Sequence, residues 1–217
     1  MEAFKIDKYE VTNDFYCQFL NSADPCGAHY YTHMDIDRQG SPPDCNYTVK
    51  AGRGRYPIRY VSAVDAEAFA QWRSRVYGGT YSLPTELQWE KAAGWDPVLK
   101  KMFTYGYHSD LIDGTWCNYN HEGGSPMLVG SFNGTNGKKD AKSYYGCYDM
   151  SGNVWEWTSS PYDRRTRCIR GGAFGSEDAE ECASTSRGNS APLSRFNDIG
   201  FRLVLNEKKD TAYPKKQ

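Results

Sequence analysis

The chain has no stretch of apolar residues long enough to span a membrane, so no span is expected. It has almost no net charge: −1 at neutral pH, with a pI near 6.4. No global field therefore favours nucleic acid or an anionic lipid surface, and neither is expected as a partner. None of its seven cysteines stands in Cys-x-x-Cys spacing, which speaks against a zinc site or a thioredoxin-type motif. Their odd number leaves two readings open. Cys26 and Cys45 bracket a loop and would pair first in an exported protein, or all seven are free thiols. There is no internal repeat. Met1 leads straight into a strand-like Phe4–Asp7, so no signal peptide is read here. The abrupt start fits a fragment of an exported protein, and the compartment stays open.

What the chain does have is aromatic residues and glycine: 17 tyrosines, 6 tryptophans and 21 glycines in 217 residues. With 39% hydrophobic and 24% charged residues, this is the composition of a folded, loop-rich protein. One domain over 1–206 is expected, followed by a polar, lysine-rich tail over 207–217.

The most concentrated stretch is Gly146–Trp157, which reads Gly-Cys-Tyr-Asp-Met-Ser-Gly-Asn-Val-Trp-Glu-Trp. Ser151-Gly152-Asn153 is turn chemistry. Beyond it an extended chain puts Trp155 and Trp157 on one face and Val154, Glu156 and Thr158 on the other. Asp149 and Glu156 can gather oxygen ligands for a hard cation such as calcium, with turn carbonyls adding more. Equally, Asp149 can cap the turn while Glu156 pairs with a buried arginine.

Along the chain, Phe4–Val11 alternates as a strand. Thr12 and Ser62 are helix caps, and Thr85 with Gln88 forms a capping box. Pro57–Val61 and Ile199–Val204 read as strands. The helix after Ser62 points Ala66, Phe69, Ala70, Arg73 and Val76 inward, and Gly78-Gly79 ends it. Helical periodicity disappears after residue 103. The result is an α+β domain with low regular secondary structure. Arg170, Arg187 and Arg202 lie among core-like residues and call for carboxylates, the candidates being Glu86, Glu90 and Glu156.

Five motifs in order carry a resemblance: Glu10-Val11-Thr12-Asn13; Leu83-Pro84-Thr85-Glu86 with Trp89-Glu90; Tyr148-Asp149-Met150 with Gly152–Trp157; Arg170-Gly171-Gly172; and Gly200-Phe201-Arg202. Together they resemble the formylglycine-generating enzyme (sulfatase-modifying factor) family, over roughly Phe4 to Val204. The resemblance implies a C-type-lectin-like fold. It implies structural calcium held by the side chains of Asp149 and Glu156 and the carbonyls of Gly152 and Val154. A second site would use Asn118 and Tyr119. Family members of the copper-dependent oxidase kind need a Cys-x4-Cys pair shortly after Arg-Gly-Gly. Here Ser176 and Glu181 stand near those positions and Cys182 is the sole thiol of the loop, so copper is not expected. A related branch, the iron-dependent sulfoxide synthases, uses a histidine cluster on a separate helical domain. His29 and His33 have i, i+4 spacing but lie in a loop-like stretch.

The expected function is therefore a calcium-stabilised, non-catalytic binding module for a protein, peptide or glycan. Its ligand would meet the variable loop Gly175–Asp198 through Ser176, Glu177, Asp178, Glu181, Asn189 and Arg195. The alternative is an oxidoreductase acting on a cysteine or other sulfur-containing substrate.

Overall fold

The computed structural model describes residues 2–120 and 124–206; the expected tail over 207–217 lies outside them. Three helices occur where local cap chemistry places them. Thr12 Oγ1 accepts the Phe15 N–H and opens α1 (Asn13–Ala23). Ser62 and Asp65 close a reciprocal capping box at α2 (Ala63–Tyr77), which stops at Gly78 with φ 73°. Thr85 and Gln88 do the same for α3 (Glu86–Gly94). Each box satisfies backbone N–H groups that the first turn leaves without partners.

The strands are short. β1 (Phe4–Ile6), β4 (Thr80–Ser82) and β11 (Val204–Asn206) form a three-stranded sheet with β11 in the middle, antiparallel to both neighbours. β7 (Trp155–Pro161), β8 (Arg167–Arg170), β9 (Gly188–Ser190) and β10 (Ile199–Gly200) form the second sheet, in the order β10-β7-β8-β9. Within it β10 runs parallel to β7, and Glu156 on β7 stands opposite Arg170 on β8. Two small hairpin pairs, β2 (Ile36–Gln39) with β3 (Asn46–Val49) and β5 (Trp95–Asp96) with β6 (Lys101–Met102), complete the regular structure. The domain is α+β with little regular secondary structure, as expected.

Three local departures have physical causes. Pro57–Val61 makes a single bridge to Thr12 and no strand, because Tyr60 turns the chain with φ 57°. The expected strand Ile199–Val204 is split into β10 and β11, which join different sheets. Val76, expected to face inward on α2, is 56% exposed, whereas Ala66, Phe69 and Ala70 are buried.

The main core joins α1 and α2 to β7 and β10 through rings: Tyr16, Phe19, Phe69, Trp72, Trp157 and Phe201. Phe69 is the hub, with Phe15, Tyr16, Phe19, Trp72 and Phe201 around it at centroid distances of 5.1–5.7 Å. Such offset and edge contacts add to the burial of large apolar area. Trp157 is fully buried and donates its indole N–H to the Val61 carbonyl at 2.9 Å. Two smaller clusters lie under the loops. One holds Tyr105, Tyr107, Cys117, Phe132 and Cys182, and the other Trp89, Ala92, Ala93, Cys147 and Met150. All seven cysteines are free; Cys26 is exposed and Cys45 half-buried, so the bracketing pair is not bridged.

Candidate functional site

The turn before β7 sits over a buried polar cluster. Asp149 (φ 58°) and Asn153 (φ 66°) both take left-handed backbone conformations, which Asp and Asn tolerate better than most residues. Gly152 (φ 74°) packs so closely on the Asn118 carbonyl that a Cβ there would collide with it. Asn153 is the hub. Its Nδ2 donates to Glu10 Oε1 at 2.9 Å, and its Oδ1 accepts the Met127 N–H at 2.8 Å and Asn118 Nδ2 at 3.3 Å.

Around this hub three buried carboxyls face one guanidinium. Arg202 is fully buried and grips Glu156, Nη2 to Oε1 at 2.6 Å and Nε to Oε2 at 2.7 Å. Trp89 Nε1 adds a bond to Oε2 at 2.8 Å. Asp149 Oδ2 accepts the Gly130 N–H at 2.6 Å. Glu10 Oε2 has no hydrogen-bond partner, and the Asp149 charge acts on Glu10 from within the same buried cluster. Burial first, then the Asp149 charge, raises Glu10 well above the usual carboxylate range; burial raises Asp149 as well. Neutralising one of the pair relieves the repulsion between them, as for like charges held near each other.

Both oxygens of Glu156, an expected calcium ligand, accept hydrogen bonds from Arg202, and one also from Trp89. Asn118, assigned to a second site beside Tyr119, spends its carboxamide N–H groups on the Ser125 carbonyl and on Asn153 Oδ1, and its own carbonyl accepts the Asn153 N–H. Gly152 and Val154 are buried in the same turn. Among the described residues no three His, Cys, Asp or Glu side chains group as a metal site. The Arg202 guanidinium supplies one positive charge to this cluster.

The expected arginine–carboxylate frame is present. Arg170, fully buried, meets Glu90 at 2.5 Å; Arg187 meets Glu86 at 2.8 Å; Arg202 meets Glu156. These pairs tie α3 to β8 and to Arg187 just before β9, and β7 to the segment leading to β11.

The loop after Arg170-Gly171-Gly172 is held tightly at its start. Ser176 is buried, and its Oγ accepts the Ala173 N–H at 3.0 Å, so it closes a turn and does not present a ligand group. Cys182 ends a 3-10 turn, Ala179–Cys182, and is fully buried. Its Sγ lies where a Cβ on Gly172 (φ 73°) would approach to 2.6 Å. Burial pushes its thiol up to about 12, which makes it a packing group and not a thiolate. Glu177, Asp178 and Glu181 are exposed on the turn, and Asn189 is exposed on β9. Arg195 belongs to another cluster: its guanidinium clasps Asp65 at 2.7 and 2.9 Å, beside His29 Nδ1 at 3.0 Å. The six residues expected to bind ligand therefore do not converge. His29 serves the α2 cap, while His33 stacks on Tyr31.

Next to the held turn is a polar cleft of about 820 Å³, lined by Tyr56, Asn118, Asn120, Ser125, Ser131 and Lys138 among others. Asn120 N–H donates to the Ser176 carbonyl at 2.9 Å and joins the cleft to the loop. Sequence reasoning missed both this cleft and the Glu10–Asp149 pair. Glu10 left a trace, a carboxylate directly beside Val11 in an otherwise strand-like segment. Lys138, in a Gly-Lys-Lys turn, left none.

Residues 1–207 match the model of the sulfatase-modifying factor enzyme 1-like domain. The chain belongs to that family. Among curated relatives, hercynine oxygenase of Mycolicibacterium smegmatis is 30% identical over 172 residues, covering 73% of this chain and 37% of its own length. Inactive C-alpha-formylglycine-generating enzyme 2 of Bos taurus is 32% identical over 166 residues, covering 69% of this chain and 50% of its own. This member thus spans half or less of the length of either relative. Among solved structures, CarF aligns with a TM-score of 0.73 at 23% identity, over 94% of this chain and 87% of its own. The shared fold is C-type-lectin-like, and the family's scarcity of regular structure is visible in the two- to four-residue strands that dominate here.

Proposed function

We propose that the chain is a non-catalytic ligand-binding domain of the sulfatase-modifying factor family. Its polar cleft and the adjoining exposed turn, Glu177, Asp178 and Glu181, would take a protein, peptide or glycan. The seat of Cys182 carries this reading. The sole thiol of the loop is wedged against Gly172, away from water, and a hydroxyl rather than a second thiol stands at Ser176. A two-coordinate copper(I) centre needs a pair of thiolates, and this loop offers neither the pair nor an accessible member of one. Similarity to a relative whose name marks it as inactive supports the same reading.

The test has two arms. Titration with copper(I) under a competing chelator should yield no stoichiometric complex, and oxygen uptake with a cysteine-containing peptide should stay at background. Peptide and glycan arrays should return a ligand whose binding falls when Asp178 and Glu181 are replaced by Ala. A tight one-to-one copper complex with peptide oxidation would overturn the proposal.

A second reading rests on the length comparison. Hercynine oxygenases match this chain over little more than a third of their length, so a domain of this kind can face substrate while metal-bearing residues sit on another domain. Oxygen consumption with hercynine and a thiol by a longer form carrying this domain, absent from the domain alone, would favour it.

A further inference from the structure

Between β5 and β6 the chain turns through Pro97-Val98-Leu99-Lys100. The apex is aliphatic, where turns are ordinarily built from Gly, Asn, Asp and Ser. Val98 is 73% exposed and Leu99 62%. The hydrogen bonding of the turn does not call for either side chain. Asp96, buried beneath the apex, supplies it: its Oδ1 accepts the Val98 N–H at 2.8 Å and the Leu99 N–H at 3.0 Å. Its Oδ2 faces His108 Nε2 at 3.6 Å. That imidazole stacks on Phe103 and on Tyr144, with centroids 5.2 and 5.9 Å away, and Tyr144 meets Tyr145 edge-on. The apex is thus a held projection with aromatic rings at its base. Exposed Leu111 extends the apolar surface, because Asp110 just before it bonds Lys101 Nζ and the Thr104 N–H. Exposed Leu87 continues it through a small hollow shared with Trp95 and Met102. Single exposed aliphatic side chains are ordinary, but a contiguous group of them marks an interaction surface.

Shape and charge select what this surface meets. A convex tip of two aliphatic side chains offers neither a cavity nor a side-chain hydrogen bond, so it suits a fluid apolar medium better than a shaped protein pocket. Lys100 and Lys101 follow the apex directly, and both are exposed. Beside them Asp96 is buried under the turn and Asp110 lies on Lys101 at 2.5 Å, so the apex itself is aliphatic and cationic. Aliphatic groups at the tip, ammonium groups at its edge and tyrosine rings behind them match the layers of a bilayer surface: acyl chains, anionic headgroups and the interfacial zone that aromatic rings favour. We propose that this hairpin tip docks on an anionic lipid bilayer, Val98 and Leu99 entering among the acyl chains and Lys100 and Lys101 meeting the headgroups. A net charge of −1 provides no long-range pull, so the attachment is a local property of the tip. Two side chains bury less than an acyl chain does, and the binding is correspondingly weak and reversible. This surface lies apart from the polar cleft and does not depend on the binding-domain reading.

Co-sedimentation of the full chain with vesicles tests it, using phosphatidylcholine alone and an equal mixture of phosphatidylcholine and phosphatidylserine. The chain should partition onto the mixed vesicles at least about fivefold more strongly than onto phosphatidylcholine. Val98→Ser combined with Leu99→Ser should weaken that partitioning by about tenfold or more. Lys100→Gln should weaken it by about fivefold on the mixture and leave phosphatidylcholine unchanged. Thermal melts check that the variants remain folded, as expected for exposed positions. No association with the mixed vesicles, or association untouched by V98S/L99S, would overturn the assignment. Concentration-dependent dimerisation abolished by V98S/L99S, without vesicle binding, would also overturn it and make the tip a contact between copies of the chain. Copper titration and the peptide and glycan arrays read the binding-domain proposal separately, so either can fail without the other.

Discussion

Glu156 gives both oxygens to Arg202 and one of them also to the Trp89 indole, with no exposure to water. Two buried charges held in this way cost desolvation and repay it through geometry, so removing one partner is far worse than never having had the pair. Glu156→Gln should therefore lose about 3–5 kcal/mol of unfolding free energy. Measuring the loss with and without chelator separates the share of the Arg202 guanidinium from that of a cation. A chelator-dependent loss in denaturant titrations would show that a cation shares the site. Glu10 and Asp149 make the opposite kind of pair. Both are raised, so the folded state holds a proton that the unfolded chain releases more readily. Their contribution is complete below the unfolded carboxylate range, about pH 4, and is lost as pH rises through the folded values. Asp65 runs the other way. Burial opposes its charge, but His29, Arg195 and Ser62 hold it at about 2, so its contribution is present above about pH 4 and lost as pH falls toward 2. In Glu10→Gln the side chain carries no charge at any pH while its oxygen still accepts from Asn153. Melts from about pH 5 to pH 8 should then be flatter than wild type. At the alkaline end they should lie higher by roughly 1 kcal/mol, or about 2–4 °C for a domain of this size. A steeper profile would count against a proton held on Glu10.

Among the elements, helix starts were legible and strand ends were not. Thr12, Ser62 and Thr85 act on backbone groups two or three residues away, so the chain carries the whole interaction in one short window. Ser62→Ala should cost about 1–2 kcal/mol in equilibrium unfolding. The arginines of the frame were legible for a different reason: a guanidinium amid apolar neighbours demands an acid. That Glu156 would be the acid for Arg202 was not, because the two are 46 residues apart. Strands of two to four residues leave too little alternation to read, and Ile199–Val204 was split by a partner choice made elsewhere in the fold. At the loop after Arg170-Gly171-Gly172 the missing thiol pair was plain in the residues, but the burial of Ser176 was not, since a serine in a polar loop looks solvated. Gly172→Ala puts a methyl group against the Cys182 sulfur at a left-handed backbone position and should cost roughly 1–3 kcal/mol. Cys182→Ala in the same chain should recover part of that loss, a coupling that a double-mutant cycle reads directly.

At the scale of the whole molecule, one aromatic core and two smaller clusters are joined by buried ion pairs rather than by long sheets. α3, β7, β8 and Arg202 hold the domain, and the cleft joins that network through Asn118 and Met127, both bonded to Asn153. Substitutions at the exposed cleft residues Ser125 and Leu128 should leave unfolding free energy within about 0.5 kcal/mol of wild type, as exposed positions usually do.

The sheet of β1, β11 and β4 sets how the domain would answer a mechanical load. Phe4 stands opposite Asn206 and Ile6 opposite Val204, so the two outer ends of the described chain leave the sheet side by side. A pull between them would strain the β1–β11 ladder at one end and open its rungs in succession, as a zip opens, instead of shearing them together. Held by both ends, the domain would yield first by shedding β1, leaving α1, α2 and the aromatic core closed. In force spectroscopy the expected trace is a small early extension followed by a separate, stronger rupture.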